Sequence, residues 1–569
     1  MTTKLNQRGK NVTTNIRAVA AKRGESLGYS ANGNLQFVKT PLQALYETAV
    51  SALFGKSTML KTSDQLVKEL RQHVRTAVEA GELDFVANLA VHARTEMNIR
   101  TIPIVLVVEF AKALSDARQP YLDQIKAIRK LTSEGVGTNK TNAELKRIER
   151  LQRLADGHNY PHMRQLVADV IQRADQITDM YAYALEVFGD KKKVPMAIKR
   201  GVGDAFNKFQ EYHFAKYNRD GAVKFRDVLR IVHPEASSVE QGAIFEKIMK
   251  ESLEVPYTWE TELSRNGQLP VGERKTNTQL WSELVSSGKV GYMALLRNLR
   301  NIQQAGLPAE VLREHVTSVI SDPKRVARSK QLPFDFVEAY NIVKDLDSKM
   351  ATAVSKAIDL SVANMPVLGR KVWLIVDFSG SMGHDPMEGY GGYSTSQQSA
   401  ISTATLLAAA LIKANGDADN LAVTLFGSSA KTLKSIDSNN SVLAIKKELL
   451  GQRTGGIAGS TNFRAALDQK SSLGFEPDTI IVLTDGEVNG FPYGTLKTIA
   501  GKNVVKLAVN LSVATTTPMS QNDGWYSVAG WSPAMFKWIP AIRDKASVVD
   551  QLSVPYVGLK KSDSNESGE

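Results

Sequence analysis

Residues 366–381, PVLGRKVWLIVDFSGS, mark the point where the chain changes its periodicity. Val372–Val376 is an unbroken apolar run that ends in Asp377 and small polar residues, the pattern of a strand buried on both faces of a parallel sheet. Downstream the alternation continues. AISTATLLAAALIKANG (400–416) reads as a helix, LAVTLF (421–426) as a strand and SVLAIKKELL (441–450) as a helix. DTIIVLTDG (478–486) and VVKLAVNLS (504–512) read as two more strands. Strands alternating with helices predict an α/β domain with a parallel, doubly wound sheet and crossover helices on both faces.

Upstream of residue 366 the period is helical. TPLQALYETAVSALFG (40–55), SDQLVKELRQHVRTAVEAG (63–81), ELDFVANLAVHARTEM (82–97) and IPIVLVVEFAKALSDA (102–117) place apolar residues at i, i+3, i+4 and i+7. The same theme runs through MRQLVADVIQRADQITDMYAYALEVFG (163–189), AIKRGVGDAFNKFQEYHFAKYN (197–218), TQLWSELVSSG (278–288), YMALLRNLRNIQQAG (292–306) and AEVLREHVTSVISD (309–322). A single long segment, 333–365, closes it. Helix pairs at a spacing of roughly 40 residues suit an all-α, HEAT-like helical repeat with an extended concave face. The domain boundaries expected are a flexible basic N-terminus at 1–25, the helical module at 26–365, the α/β domain at 366–555 and a disordered tail at 556–569.

Composition narrows the function. The 569 residues contain 43% hydrophobic and 23% charged residues, an ordinary soluble composition. No apolar run reaches the ~20 residues that span a bilayer, and no secretion signal opens the chain, so a cytoplasmic protein without membrane contact is expected. The lack of cysteine excludes disulfides, zinc–thiolate sites and thiol nucleophiles. Of 71 Lys+Arg and 59 Asp+Glu, residues 351–569 hold 19 of each, so the whole excess of +12 falls in residues 1–350. Such an uneven distribution suits a polyanionic partner as well as it suits a solubilising surface.

The most specific local signal is Asp377-Phe378-Ser379-Gly380-Ser381 at the end of the first predicted strand. One carboxylate and two hydroxyls at alternate positions of a tight loop make a hard, oxygen-only site. Thr461 in GGIAGSTNF (455–463) and Asp485 at the end of TIIVLTDG (479–486) fall on loops that converge at the switch point of a doubly wound sheet. The set resembles the metal-ion-dependent adhesion site of von Willebrand A domains. Its ligand type suggests a divalent ion, Mg²⁺, with one position open to an external carboxylate. No catalytic residue is assigned. The cluster has no histidine or lysine close in sequence to act as base or nucleophile, and Gly55-Lys56-Ser57-Thr58 lacks the first glycine of a phosphate-binding loop, because position 50 is Val50.

The order of helical repeats and an A-type domain resembles the Ro autoantigen family, proteins with a TROVE module. The segments that carry the likeness are 197–234, 289–302 and 332–345 in the helical half. Beyond the junction, 369–382, 455–467, 479–488 and 526–539 follow the family order. The resemblance implies a closed ring of helix pairs that binds small structured noncoding (Y-like) RNA and threads single-stranded 3′ ends of misfolded or decaying RNA, in RNA quality control. It also implies a monomeric ribonucleoprotein, in some cases working with an exoribonuclease.

By that resemblance the RNA-binding residues are Lys199, Arg200, Lys216, Lys224, Arg226 and Arg230. Arg297, Arg300, Arg94 and Arg100 rank below them. Phe225 and Val223 stand where the family places a His and a Trp, and Asn462 stands where an Asp is usual. The competing reading is a metal-dependent interaction scaffold. In it the A-type domain grips an acidic protein partner and the helical half is an adaptor.

Overall fold

The computed structural model describes residues 27–29, 35–51, 63–134, 142–218, 221, 223–365, 368, 370–385, 387, 399–415, 420–433, 436–488, 504–511, 516–517, 519, 524–529 and 548–559. The expected flexible N-terminus at 1–25, the former phosphate-loop candidate at 55–58 and the last ten positions lie outside the described residues. The chain divides into two compact units, one of Pro41–Val50, Asp64–Tyr257 and Val548–Glu569, the other of Met1–Thr40, Ser51–Ser63 and Thr258–Ser547. Among the described residues no helix is long and apolar enough to cross a membrane.

The first unit is built from helices α1 (Pro41–Ser51), α2 (Ser63–Glu79), α3 (Leu83–Thr95), α4 (Ile102–Glu134) and α5 (Asn142–Asp156). They are followed by α6 (Met163–Val170), α7 (Asp175–Phe188), α8 (Met196–Phe206), α9 (Glu211–Tyr217), α10 (Phe225–Val232) and α11 (Val239–Met249). Helices pack both on sequence neighbours and across them, α3 on α4 and on α6, α4 on α5 and on α7, α6 on α8. This is the stacking expected of helical repeats.

Three segments of this unit differ from the sequence reading, among them 197–218, which divides into α8 and α9. Helix α4 does not stop near residue 117 but runs on through Pro120. The proline forfeits one backbone bond, but the extension buries Ile125 and Ile128 against Leu151 of α5, which offsets the loss. The stretch 163–189, read as one helix, is two. The break at Ile171–Ala174 is held by Lys208, whose Nζ donates to the carbonyls of Ala168 at 3.0 Å and Ile171 at 2.8 Å, closing the C-terminal end of α6.

The second unit carries helices α12 (Trp259–Gln268), α13 (Asn277–Ser286), α14 (Tyr292–Arg297), α15 (Leu299–Ala305), α16 (Pro323–Ser329), α17 (Pro333–Val343) and α18 (Ser348–Ser361). The expected single segment 333–365 is broken because Asp347 caps a new helix, accepting the Met350 N–H at 2.9 Å.

The sheet follows. Its strands are β3 (Val372–Asp377), β4 (Leu421–Phe426), β5 (Ala430–Leu433), β6 (Thr479–Thr484), β7 (Val505–Asn510) and β9 (Trp525–Ala529), in the order β5-β4-β3-β6-β7-β9. All neighbours are parallel except β4 and β5. A separate antiparallel set joins β1 (Leu27–Tyr29), β2 (Leu35–Val38) and β8 (Thr516–Thr517). The parallel arrangement expected holds for β4, β3, β6, β7 and β9, and β5 departs from it as an antiparallel strand added at one edge.

Helices α19 (Ala400–Asn415), α20 (Val442–Gly451) and α21 (Phe463–Leu467) cross over between strands. Asp359 of α18 accepts the Val442 N–H at 2.8 Å, so the last long helix before the sheet caps a helix of the sheet layer. The compact units therefore do not part at residue 365. Helices from Thr258 onward group with the sheet, and Val548–Leu559 groups with the first unit. There α22 (Val548–Leu552) leads into a docked strap. Asn88 Nδ2 donates to the carbonyls of Leu552 and Val554, and the Tyr556 hydroxyl donates to Asp169 at 2.5 Å.

Candidate metal centre and basic helical face

The metal-type residues are positioned by strand ends. Val372 to Val376 of β3 pair in register with β4 and β6, so Asp377 leaves the sheet beside Phe426 on one side and Thr484 on the other. Asp377 and Ser379 are fully buried. The Asp377 carboxylate accepts the Ser379 N–H at 2.9 Å on Oδ1 and the Thr484 hydroxyl at 2.7 Å on Oδ2. Ser379 Oγ and Ser381 Oγ share a hydrogen bond at 3.1 Å. The Thr461 loop is brought in by the Gly380 N–H, which donates to the Gly459 carbonyl at 2.9 Å, and by the Asn462 N–H, which donates to Gly427 at 2.7 Å. A side chain at Gly427 would strike the Ile457 carbonyl, which is why that approach requires glycine. Thr461 and Asp485 are buried. Gly486, at φ +82°, turns the chain after Asp485, and a Cβ there would collide with Asn510.

The electrostatics fit a cation. Burial first, and then the neighbouring Asp485, push the Asp377 carboxyl up to about 7, against the hydrogen bonds from Ser379 and Thr484. Burial also raises Asp485, opposed by a hydrogen bond from Ser381. Two buried carboxylates, both raised by burial and the first also by the second, with hydroxyls beside them, describe a place where a hard divalent ion would replace the protons. Among the described residues no group of three or more His, Cys, Asp or Glu forms a richer ligand set.

Sequence reasoning missed the group that holds this loop in shape. Arg453 donates from Nε to the Phe378 carbonyl at 3.2 Å, from Nη2 to the Ser379 carbonyl at 3.0 Å and from Nη1 to the Gly383 carbonyl at 2.6 Å. The guanidinium fork thus spans the turn from both sides of Ser381. A lone arginine eight residues before Thr461 carries no motif that would have flagged it. Close by, Lys446 of α20 and Asp385 form a buried ion pair at 2.7 Å, with Lys446 also on Ser402 at 3.1 Å.

The candidate RNA residues fall on α8, α9 and α10 of the first unit, with Lys224 at the N-cap of α10. Arg200, Lys216 and Arg230 are exposed, while Lys199, Lys224 and Arg226 are half-buried. Gly201 lets this segment approach α6. A Cβ there would stand 2.5 Å from the Arg164 carbonyl and 2.6 Å from Val167. Lys216 lies 5.7 Å from the ring centroids of Tyr212 and Tyr217. Arg226 is engaged by Glu251 at 2.8 Å, which offsets part of its charge. Phe225 is a core residue, edge-on to Phe214 with centroids 5.2 Å apart. Lys224 and Tyr217 line one cavity of about 280 Å³ with Asp175 and Asp179.

Charge is more local than the whole-chain balance suggests. Residues 1–63 hold nine Lys+Arg and two Asp+Glu, more than half of the +12 excess. Bulk charge therefore does not mark the described helices, and individual clusters must do so.

The chain matches the TROVE domain over residues 43–254 and 242–367, and the von Willebrand factor type A domain over residues 372–487. It is 34% identical over 103 residues to telomerase protein component 1 of Mus musculus and, at the same identity and length, to that of Rattus norvegicus. That stretch is 18% of this chain, and it spans only 4% of the length of either relative. The crystal structure of the Deinococcus radiodurans RO (RSR) protein is similar over 89% of this chain and 100% of that one, with a TM-score of 0.56 and 15% identity, a likeness of fold. With more than half of its length matched by that module and an A-type sheet after it, the chain belongs to the TROVE-domain family.

Proposed function

We propose that this protein is a non-enzymatic, RNA-binding protein of the Ro type, which holds small structured, Y-like RNA and single-stranded 3′ ends of defective RNA in RNA quality control in the cytoplasm. The observation that carries the reading is the TROVE match across residues 43–367. The likeness of fold to the Deinococcus radiodurans RO protein supports it. So does the exposure of Arg200, Lys216 and Arg230 on successive helices, where cations grip phosphate without reading sequence.

In the sheet unit, Asp377, Ser379, Ser381, Thr461 and Asp485 would hold Mg²⁺. The ion would supply an open position for a carboxylate of a protein partner, an exoribonuclease among the candidates. The chain's own part is to bury the two carboxylates, fix Asp377 through Ser379 and Thr484, and brace the loop with Arg453.

Electrophoretic shift of a small hairpin RNA with a single-stranded 3′ tail tests the reading. The purified protein shifts the tailed species in preference to a blunt duplex, and the pair Lys199→Glu, Arg200→Glu weakens the complex. Equal binding of blunt duplex removes the threading of ends, and unchanged affinity of the double variant removes α8 from the interface. The well-formed carboxylate pair favours a second reading, a metal-dependent scaffold for an acidic protein. EDTA separates the two, because it abolishes partner binding under the scaffold reading and leaves RNA affinity intact under the first.

A further inference from the structure

A buried cation in the first unit has no counter-ion of its own. Arg94, near the end of α3, is 7% exposed, and its Nε has no hydrogen-bond partner. Its one recorded bond is long, Nη1 to the Asn98 side-chain oxygen at 3.3 Å. Two more arginines stand around it. The chain after α3 folds back, with the Ile99 N–H on the Ala93 carbonyl at 2.9 Å and Asn98 at φ +53°, and so brings Arg100 over the helix end. Gln176 Nε2 then donates to the Arg100 carbonyl at 3.0 Å and Gln176 Oε1 accepts the Gln172 N–H at 2.9 Å, which fastens the α6–α7 turn and Arg173 to the same place.

Two nearby carboxylates have hydrogen-bond partners of their own. Both oxygens of Asp175 are taken by Arg173, at 3.1 and 2.7 Å. Asp169 is occupied by Gln165, the Tyr556 hydroxyl and the Leu559 N–H. Burial first, then Arg100 and Arg173, push the Arg94 guanidinium down to about 10, with Asp175 opposing in part. Burial likewise pushes the nearby Lys208 down to about 8, with Asp169 opposing and Arg94 adding to the shift. A buried guanidinium surrounded by cations is stable only when an anion completes it. The mouth of the site is polar and open, since Asn98 and Arg100 are both exposed. A guanidinium fork with free donors is built for a tetrahedral oxyanion.

We propose that Arg94, with Arg100 and Arg173, seats one phosphate oxyanion at the turns joining α3 to α4 and α6 to α7, supplied either by inorganic phosphate or by a phosphodiester of bound RNA. The RNA source rests on the function proposed above; the seat itself does not. It accounts for an arginine that ordinary folding would exclude from the interior.

The test uses the full chain. Thermal unfolding is followed in rising inorganic phosphate and in chloride of matched ionic strength, for wild type, Arg94→Gln and Arg173→Gln. Binding of a labelled single-stranded oligouridylate is measured in parallel. Phosphate raises the wild-type Tm to a plateau and chloride does not. Without phosphate, Arg94→Gln melts no lower than wild type, because it removes an uncompensated cation, and its phosphate shift is lost. A merely structural arginine would instead lower the Tm and leave the shift unchanged.

Absence of a wild-type shift, or its survival in Arg94→Gln, overturns the seat. Should Arg94→Gln fail to fold, Arg173→Gln carries the test, since a full phosphate shift in that variant also overturns the seat. In the RNA arm, a salt slope reduced by about one in Arg94→Gln assigns the phosphate to RNA. An unchanged slope with an Arg94-dependent phosphate shift assigns it to the free ion. If wild type binds no oligonucleotide while phosphate still shifts its Tm, the RNA function fails and the seat stands.

Discussion

The Thr484 hydroxyl donates to Asp377 Oδ2 at 2.7 Å, joining the ends of two adjacent parallel strands across the metal-type loop. The bond fixes the rotamer of a carboxylate whose other oxygen is held by the Ser379 N–H. Groups that orient a metal ligand without touching the ion typically carry about 10–100-fold of its affinity. Thr484→Val, similar in shape but without the hydroxyl, is expected to weaken Mg²⁺ by roughly tenfold in calorimetric titration, with the fold intact. Unchanged affinity would show that Asp377 needs no such tether.

On the metal assignment proposed above, proton and metal compete for the same carboxylate. Asp377 is raised to about 7 in the folded, metal-free protein, whereas an unfolded aspartate titrates near 4, about its ordinary value. Folding therefore takes up a proton between those two values, and this group favours the metal-free fold increasingly as pH falls through about 7 toward 4. Mg²⁺ must displace that proton, so its affinity drops between pH 8 and pH 6. Titrations at the two values check this, and a flat profile contradicts the assignment of Asp377 as a ligand.

Arg453 satisfies the carbonyls of Phe378, Ser379 and Gly383 at once. Arg453→Met takes this donor from all three, leaving Ser379 only the Met382 N–H at 3.2 Å, at a cost of about 2 kcal/mol or more. Arg453→Lys restores a single donor and a fraction of that loss. Chemical denaturation measures both, and a methionine variant as stable as wild type would remove the clamp.

Helix α8 lies against α6 with no room for a methyl group at Gly201. Gly201→Ala forces the helices apart and costs roughly 1–3 kcal/mol as an overpacked contact, despite the better helix propensity of alanine. The outward-lying Gly267, with nothing within 4 Å, tolerates the same change. Thermal unfolding of the two variants compares them directly.

Much of this was legible in the residues. The apolar run 372–376 ending in Asp377 specified a buried strand and the loop beyond it, since both depend on local pattern. Thr461 and Asp485 were read from spacing as part of the same set, and both are buried. Helix ends were less legible. Pro120 reads as a stop and is carried through by packing against α5, and Ile171–Ala174 reads as helix but is broken by a lysine 37 residues away from Ile171. The docking of Tyr556 on Asp169, 387 positions apart, has no local signature at all, and neither has Arg453. The helical and strand periods are properties of neighbours in sequence, whereas caps, clamps and straps are properties of neighbours in space.

The central claim is that the protein binds RNA through phosphate contacts of its helical part, independently of the metal site. Fluorescence anisotropy of a hairpin RNA with a single-stranded 3′ tail, across a salt series with and without EDTA, tests it most directly. The account predicts nearly identical curves with and without the chelator, each falling linearly in log K against log salt with a slope of several units, about 0.7–0.9 for each phosphate contacted. Binding that ignores salt, or that disappears with EDTA, would contradict it.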